Sequence, residues 1–81
     1  MKIEILSPNK KIYKGEADAL VLPAKEGQMQ ILNNHAFLFT LLTQGEIVIT
    51  KNYNFQSEKI SISSGIAEVK DNSIIVLIKE K

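Results

Sequence analysis

This 81-residue sequence predicts an all-β sandwich, and three observations support that expectation. Apolar and polar residues alternate with a period of two in segment after segment, as in Glu46 to Thr50, where Ile47 and Ile49 oppose Val48. Turn-forming residues recur at intervals of about 7–12 positions, the spacing of an antiparallel sandwich or barrel. No window of about 11 residues holds a helical stripe of apolar positions. The core falls to aliphatic side chains, led by twelve isoleucines, because the chain has only three Phe, two Tyr and no Trp. A chain of this length buries roughly 60–65% of the surface its unfolded form exposes, enough for one core. Residues 1–81 therefore read as a single domain.

Each element follows from its residues. Met1 to Leu6 opens the chain as a strand, and Ser7-Pro8-Asn9 turns after it. Lys11 to Tyr13 is a short edge strand closed by Gly15, with Lys10, Lys11 and Lys14 guarding the edge against sheet-to-sheet aggregation. Glu16 to Leu22 forms the next strand, and Pro23 ends it because proline cannot donate to a ladder. Gln28 to Leu32 follows, then the turn pair Asn33-Asn34. Phe37 to Leu42 is apolar except for Thr40, and its turn-rich flanks favour a buried strand over a helix. Thr43-Gln44-Gly45 turns into Glu46 to Thr50, and Lys51-Asn52-Tyr53-Asn54 is a hairpin loop. Phe55 to Ser63 alternates through Ile60 and Ile62, Gly65 breaks it, and Ile66 to Lys70 resumes. Asp71-Asn72 turns, and Ser73 to Lys79 completes the set.

Composition removes most chemistries. Ten basic and nine acidic residues give a formal charge of +1, with no like-charge run longer than Lys10-Lys11, so the basic stripe of a nucleic-acid binder is missing. All ten basic residues are lysines, which rules out an arginine finger or a bidentate phosphate clamp from this polypeptide. Without cysteine there is no disulfide, thiolate metal site or thiol nucleophile. His35 is the single imidazole, so no multi-histidine metal site exists, and a turn histidine making one structural hydrogen bond is favoured over a dyad with a serine. Glu16 and Asp18 lie two apart on the expected strand, about 6–7 Å from one another, which suits a glycosidase pair only loosely and reads as surface carboxylates. Gly27 stands alone, so there is no phosphate-cradling loop. The longest apolar run, Ile74 to Ile78, is far too short to span a membrane, and Lys2 and Glu4 exclude a secretory apolar region at the start. The expectation is a soluble, non-catalytic protein with no cofactor and no metal, meeting a membrane only through a partner.

The segment from Pro23 to Asn34 stands out because it sets Met29 and Ile31 among polar residues, bounded by Pro, Gly and Asn. It reads either as an ordinary hairpin with Met29 and Ile31 inward or as a docking loop presented on a rigid scaffold.

A family resemblance decides more. Leu22, Pro23, Gly27, Met29, Ile31, Leu32, His35, Ala36, Leu38 and Thr40 fall in register with an LPxxxGx[FM]G[IV]LPGHAPLLT pattern. Gly45, then Ser63, Gly65, Glu68 and Val69 of an SGGxxEV pattern follow, and Tyr13-Lys14-Gly15-Glu16 precedes them as aromatic-x-Gly-acid. Over nearly its entire length the chain resembles the N-terminal β-sandwich domain of the ATP synthase epsilon subunit. It departs at Gln30, Asn33-Asn34, Phe37 and Ser64, where the family has Gly, Pro-Gly, Pro and Gly. Asparagine tolerates the left-handed backbone a turn before His35 requires, whereas Gln30 cannot adopt a glycine-only conformation without strain.

The resemblance implies an antiparallel β-sandwich of about ten short strands and a role as a rotor component at the foot of the central stalk. It implies partners on two sides, the gamma subunit and the ring of c subunits, so that proton flow is coupled to ATP synthesis. By resemblance Glu26, Gly27, Gln28 and Met29 face the c-ring, and Ser7, His35 and Thr40 lie toward gamma. Family members continue into two C-terminal helices that inhibit hydrolysis and in some members bind ATP; ending at Lys81, this chain is expected to carry neither an inhibitory arm nor a nucleotide site. The expected location is peripheral, on the cytoplasmic face of a bacterial membrane rather than in an organelle. A free-standing β-sandwich module binding a peptide or small ligand is the alternative, and a hydrolase using Glu16 and Asp18 is the remote third reading.

Overall fold

Period-two alternation produces strands over most of the segments where the sequence predicts them. The computed structural model describes residues 1–51 and 57–81, and these hold eight strands and no helix. They are β1 (Lys2–Ser7), β2 (Lys10–Glu16), β3 (Ala19–Ala24), β4 (Gly27–Leu32), β5 (Leu38–Leu42), β6 (Gly45–Thr50), β7 (Ser57–Lys70) and β8 (Ser73–Glu80). Most of the expected Lys51–Asn54 loop and the start of the Phe55 strand lie outside the described residues.

The strands are hydrogen-bonded in the order β2-β1-β8-β7-β5-β3-β4, with β6 joining β3 to β7. One layer is β2-β1-β8-β7-β5, and the other is built from β4, β3, β6 and the first half of β7. Inward positions alternate along every strand and meet between the layers. Ile3, Ile5, Leu20, Leu22, Ile31, Ile47, Ile49, Ile62, Val69, Ile74 and Val76 are each under 2% exposed. At about 1.5–3 kcal/mol per fully buried aliphatic side chain, this aliphatic core supplies the main stabilising term.

The sandwich expectation holds, with eight strands described rather than about ten. One pair departs from the antiparallel rule: β1 runs parallel to β8, with Ile3 opposite Ile74 and Ile5 opposite Val76. The other pairings are antiparallel.

Three local expectations are corrected. Pro23 lies inside β3 instead of ending it. There β3 changes neighbours, pairing with β6 over Ala19–Val21 and with β5 at Ala24. The Pro23 carbonyl accepts from Thr43 N at 2.8 Å. The proline nitrogen, on the same side of the strand, faces the gap between those neighbours, where no donor is needed. Gly65 likewise sits within the 14-residue β7, which pairs with β6 before it and with β5 from it onward. A register slip between Ile62 and Ser64 carries the strand from one layer to the other. A Cβ on Gly65 would lie 2.6 Å from the Leu77 carbonyl oxygen, so glycine is required for the close approach of β8. Finally, Glu16 ends β2 and Asp18 occupies the bend before β3, so the two carboxylates do not share a strand face.

Candidate functional site

The sandwich presents its sequence-marked residues at two opposite ends. At one end the two-residue turn Lys25-Glu26 joins β3 to β4, with Ala24 opposite Gly27 in register. Gly27 has φ +132°, a conformation L side chains rarely adopt, which explains glycine at that corner. Lys25 N donates to the Leu41 carbonyl at 2.9 Å and Thr43 N to Pro23, which ties this hairpin to β5 and makes it a rigid projection. Glu26, Gly27 and Gln28 are exposed, whereas Met29 is half-buried and packs against the core. Gln30 pairs with Val21 in regular strand conformation, so the family's second loop glycine is dispensable here.

At the other end β4 runs into the Asn33-Asn34 turn. Asn34 has φ +62°, the left-handed backbone that asparagine accommodates, and the turn before His35 keeps its form without the family's Pro-Gly. His35 is exposed; its N–H donates to the Leu32 carbonyl at 3.3 Å and its Nδ1 lies 2.8 Å from the Ala36 carbonyl. This single local ring contact fits a turn histidine better than a catalytic one.

Ser7 and Thr40 do not gather around His35. Leu6 is in register with Leu77, Leu77 with Ile66, and Ile66 with Leu41, which fixes the positions of β1 and β5 in one layer. Ser7 lies one residue beyond that row, at the Lys25-Glu26 end, where its hydroxyl donates to the Lys10 carbonyl at 3.3 Å. There it borders an open groove of about 740 Å³ with Lys25, Leu41, Thr43, Ser64 and Lys79. Thr40 lies one residue before the row on β5, three strands or about 14 Å across the sheet. His35 is at the far end.

Residue-by-residue reading missed the outer face of the five-stranded layer. Leu41, Ile66, Leu77 and Leu6 form one row across β5, β7, β8 and β1, and Phe39, Glu68, Ile75 and Glu4 form the next. Phe37, Phe39, Leu41, Ile75 and Leu77 are 66%, 55%, 50%, 45% and 45% exposed. Together they leave on the order of 500 Å² of apolar surface in water, the size of the largest patch on a typical monomer, which is often functional. The available signal was the continuous apolar run Ile74–Ile78 and the run Phe37–Leu42, broken only at Thr40, on strands flanking β7. A continuous run leaves one of its two faces uncovered unless a second layer or a partner covers it.

Among the described residues no group of three His, Asp or Glu side chains is placed to hold a metal ion, and no charged or polar side chain is buried. The arrangement of the described residues offers exposed contact surfaces.

Comparison with known proteins agrees with this picture. A profile of the ATP synthase Delta/Epsilon chain β-sandwich domain matches residues 1–80. ATP synthase epsilon chains of Leptospira interrogans and Sulfurimonas denitrificans are each 42% identical, over 95% and 98% of this chain. That of Prochlorococcus marinus is 35% identical over 96%. The chain spans 57–60% of the length of these relatives. Among solved structures, a chain in the central stalk and c-ring of the Tetrahymena thermophila mitochondrial ATP synthase superposes with a TM-score of 0.83 at 15% identity, covering 98% of this chain and 63% of that one. A chain of the Euglena gracilis mitochondrial ATP synthase gives 0.88 at 22%, covering 96% and 49%. These two likenesses speak to the fold. On the profile match and the bacterial relatives, the chain belongs to the family of ATP synthase Delta/Epsilon-chain β-sandwich domains.

Proposed function

We propose that this chain is the β-sandwich part of an epsilon-type rotor subunit of a proton-translocating ATP synthase, non-catalytic itself, joining the gamma subunit to the c-ring so that proton flow is coupled to ATP synthesis. One observation carries the reading: a sandwich with no helix among the described residues projects a hairpin tied to β5 at one end and an apolar sheet face along its side. Transmitting torque requires two separate contacts, and the hairpin and the sheet face supply two separate surfaces.

In this reading Glu26, Gly27 and Gln28 meet the polar loops of the c-ring, with Met29 holding the hairpin onto the core. Gamma covers the outer face of the five-stranded layer, with Phe37, Phe39 and Leu41 along its β5 edge and His35 at its border; Thr40, paired with the buried Ala67, turns to the other face and reaches this contact only through its backbone position. Ser7 marks the edge of that contact nearest the c-ring end. The protein is peripheral, on the cytoplasmic face of a bacterial membrane, and uses no cofactor and no nucleotide in this domain.

Binding of the purified protein to the gamma subunit, measured by calorimetry, tests the proposal. Replacing Phe37 and Phe39 together with serine should weaken binding at least tenfold, since each exposed aromatic buried at an interface is worth on the order of 1–2 kcal/mol. The melting temperature should stay within a few degrees, because both side chains are more than half exposed. Failure of the wild-type protein to bind gamma, or full affinity in the double variant, refutes the reading.

A further inference from the structure

The segment that presents His35 and Phe37 is held from the β7–β8 turn by a residue with no place in any of the contacts above. Asp71 and Asn72 form the two-residue turn between β7 and β8, with φ values of +51° and +59°. Positive φ at both central positions is the type I′ geometry, whose twist matches the flanking strands. Asn72 then bonds in two directions. Its carbonyl accepts from Lys2 N at 3.1 Å, at the start of β1. Its side-chain Oδ1 accepts from the backbone N–H of Asn34 at 2.7 Å, across 38 positions of sequence. Asn34 is the left-handed residue immediately before His35. The neighbouring Asn33 is held separately, by the Met1 α-amino group at 2.7 Å from its Oδ1.

We propose that Asn72 is a positioning residue for the proposed gamma contact: its side chain clamps the Asn34 amide and so fixes the direction in which His35 and Phe37 leave the sandwich. The inference rests on the rotor reading and extends it to a residue outside the contact surface. Its basis is geometric. Left-handed Asn34 donates its N–H away from the strand ladder, and Asn72 is the acceptor for it. Freed from that bond, the exposed Asn33–Phe37 stretch would be tied to the rest of the domain through the Asn33 contact and the 3.3 Å bond from His35 N to Leu32, the 2.8 Å His35–Ala36 contact lying within the stretch itself.

The turn chemistry allows a clean test. Glycine suits positive φ better than asparagine and is favoured in type I′ turns, so Asn72→Gly removes the clamp and keeps the hairpin. Asn72→Asp keeps an acceptor oxygen at the same reach and tolerates the same backbone. In the N72G protein the Asn34 amide should exchange with solvent about fivefold faster, and affinity for gamma should fall about fivefold, the equivalent of one hydrogen bond. Its melting temperature should match or exceed that of the wild type, and N72D should restore both the slow exchange and the affinity. Wild-type binding that is unchanged in N72G, or an Asn34 amide indifferent to the substitution, overturns this proposal alone. A wild-type protein that does not bind gamma overturns the rotor reading and this proposal with it.

Discussion

Replacing Gly65 with alanine probes the point where β7 passes from one layer to the other. The added methyl would lie 2.6 Å from the Leu77 carbonyl oxygen and 3.3 Å from both Cα and Cγ2 of Ile78. Two of these three atoms are backbone of β8, which is held on both sides by β1 and β7, so neither can swing away. Relieving the oxygen contact requires moving one strand by more than half an ångström against a ladder that runs from Ile62 to Lys70. Overpacking of this kind costs about 1–3 kcal/mol, and a clash with fixed backbone belongs at the upper end. Alanine restricts the unfolded chain and returns about 0.4–1 kcal/mol. The net loss is about 2 kcal/mol, or a fall in melting temperature of about 8–16 °C for a domain this small. Urea denaturation followed by circular dichroism measures it, with an unchanged slope showing that the loss belongs to the folded state. Gly15→Ala serves as the control, because its nearest atom is the Tyr13 hydroxyl at 3.1 Å, the far end of a side chain. A G65A protein within about 0.5 kcal/mol of wild type would refute the close-approach explanation of this glycine.

Other substitutions separate fold from contact. Gln28 is exposed and Met29 is packed against the core, so Gln28→Asp should weaken c-ring attachment of the reconstituted subunit with the melting temperature unchanged. Met29→Asp should weaken attachment and also cost about 2 kcal/mol of stability, by placing a carboxylate against apolar neighbours; equal melting temperatures for the two variants would contradict the placement of Met29. Asn34→Ala should destabilise by about 1 kcal/mol through its positive φ, while Asn34→Gly should be neutral or slightly stabilising in the same denaturation assay.

The sandwich was legible because alternation is a local signal: Ile47 and Ile49, or Ile3 and Ile5, declare their inward face within five residues. What escaped was set by neighbours distant in sequence. Pro23 reads as a strand end, and becomes tolerable inside β3 only because β6 and β5 leave a gap beside it. Gly65 reads as a break, and is in fact the position where a crossing strand must come close to β8. The parallel pairing of β1 and β8 has no local signature, since nothing in either strand names its partner. The candidate site divides along the same line. The turn before His35 was visible through its turn chemistry, and Asn34 adopts the left-handed backbone expected there, whereas the positive φ of Gly27 was not read from the sequence. That Ser7 and His35 fall at opposite ends of the molecule, and that Phe39, Leu41, Ile75 and Leu77 form one surface, follow only from the strand order.

The place of β8 in that order has a consequence for how the chain is made. In the hydrogen-bonded ladders, β2 contacts β1 and β1 is joined to the rest only through β8. Within this domain, the strand made last is therefore the one that joins β1 to the remaining ladders. A nascent chain stalled before Ser73 holds a β1–β2 hairpin with no ladder to dock on, its Ile3 and Ile5 uncovered until Ile74 and Val76 arrive. Such a topology defers folding of the domain until β8 has been made, and places it among the slower small domains, where pairings distant in sequence set the rate.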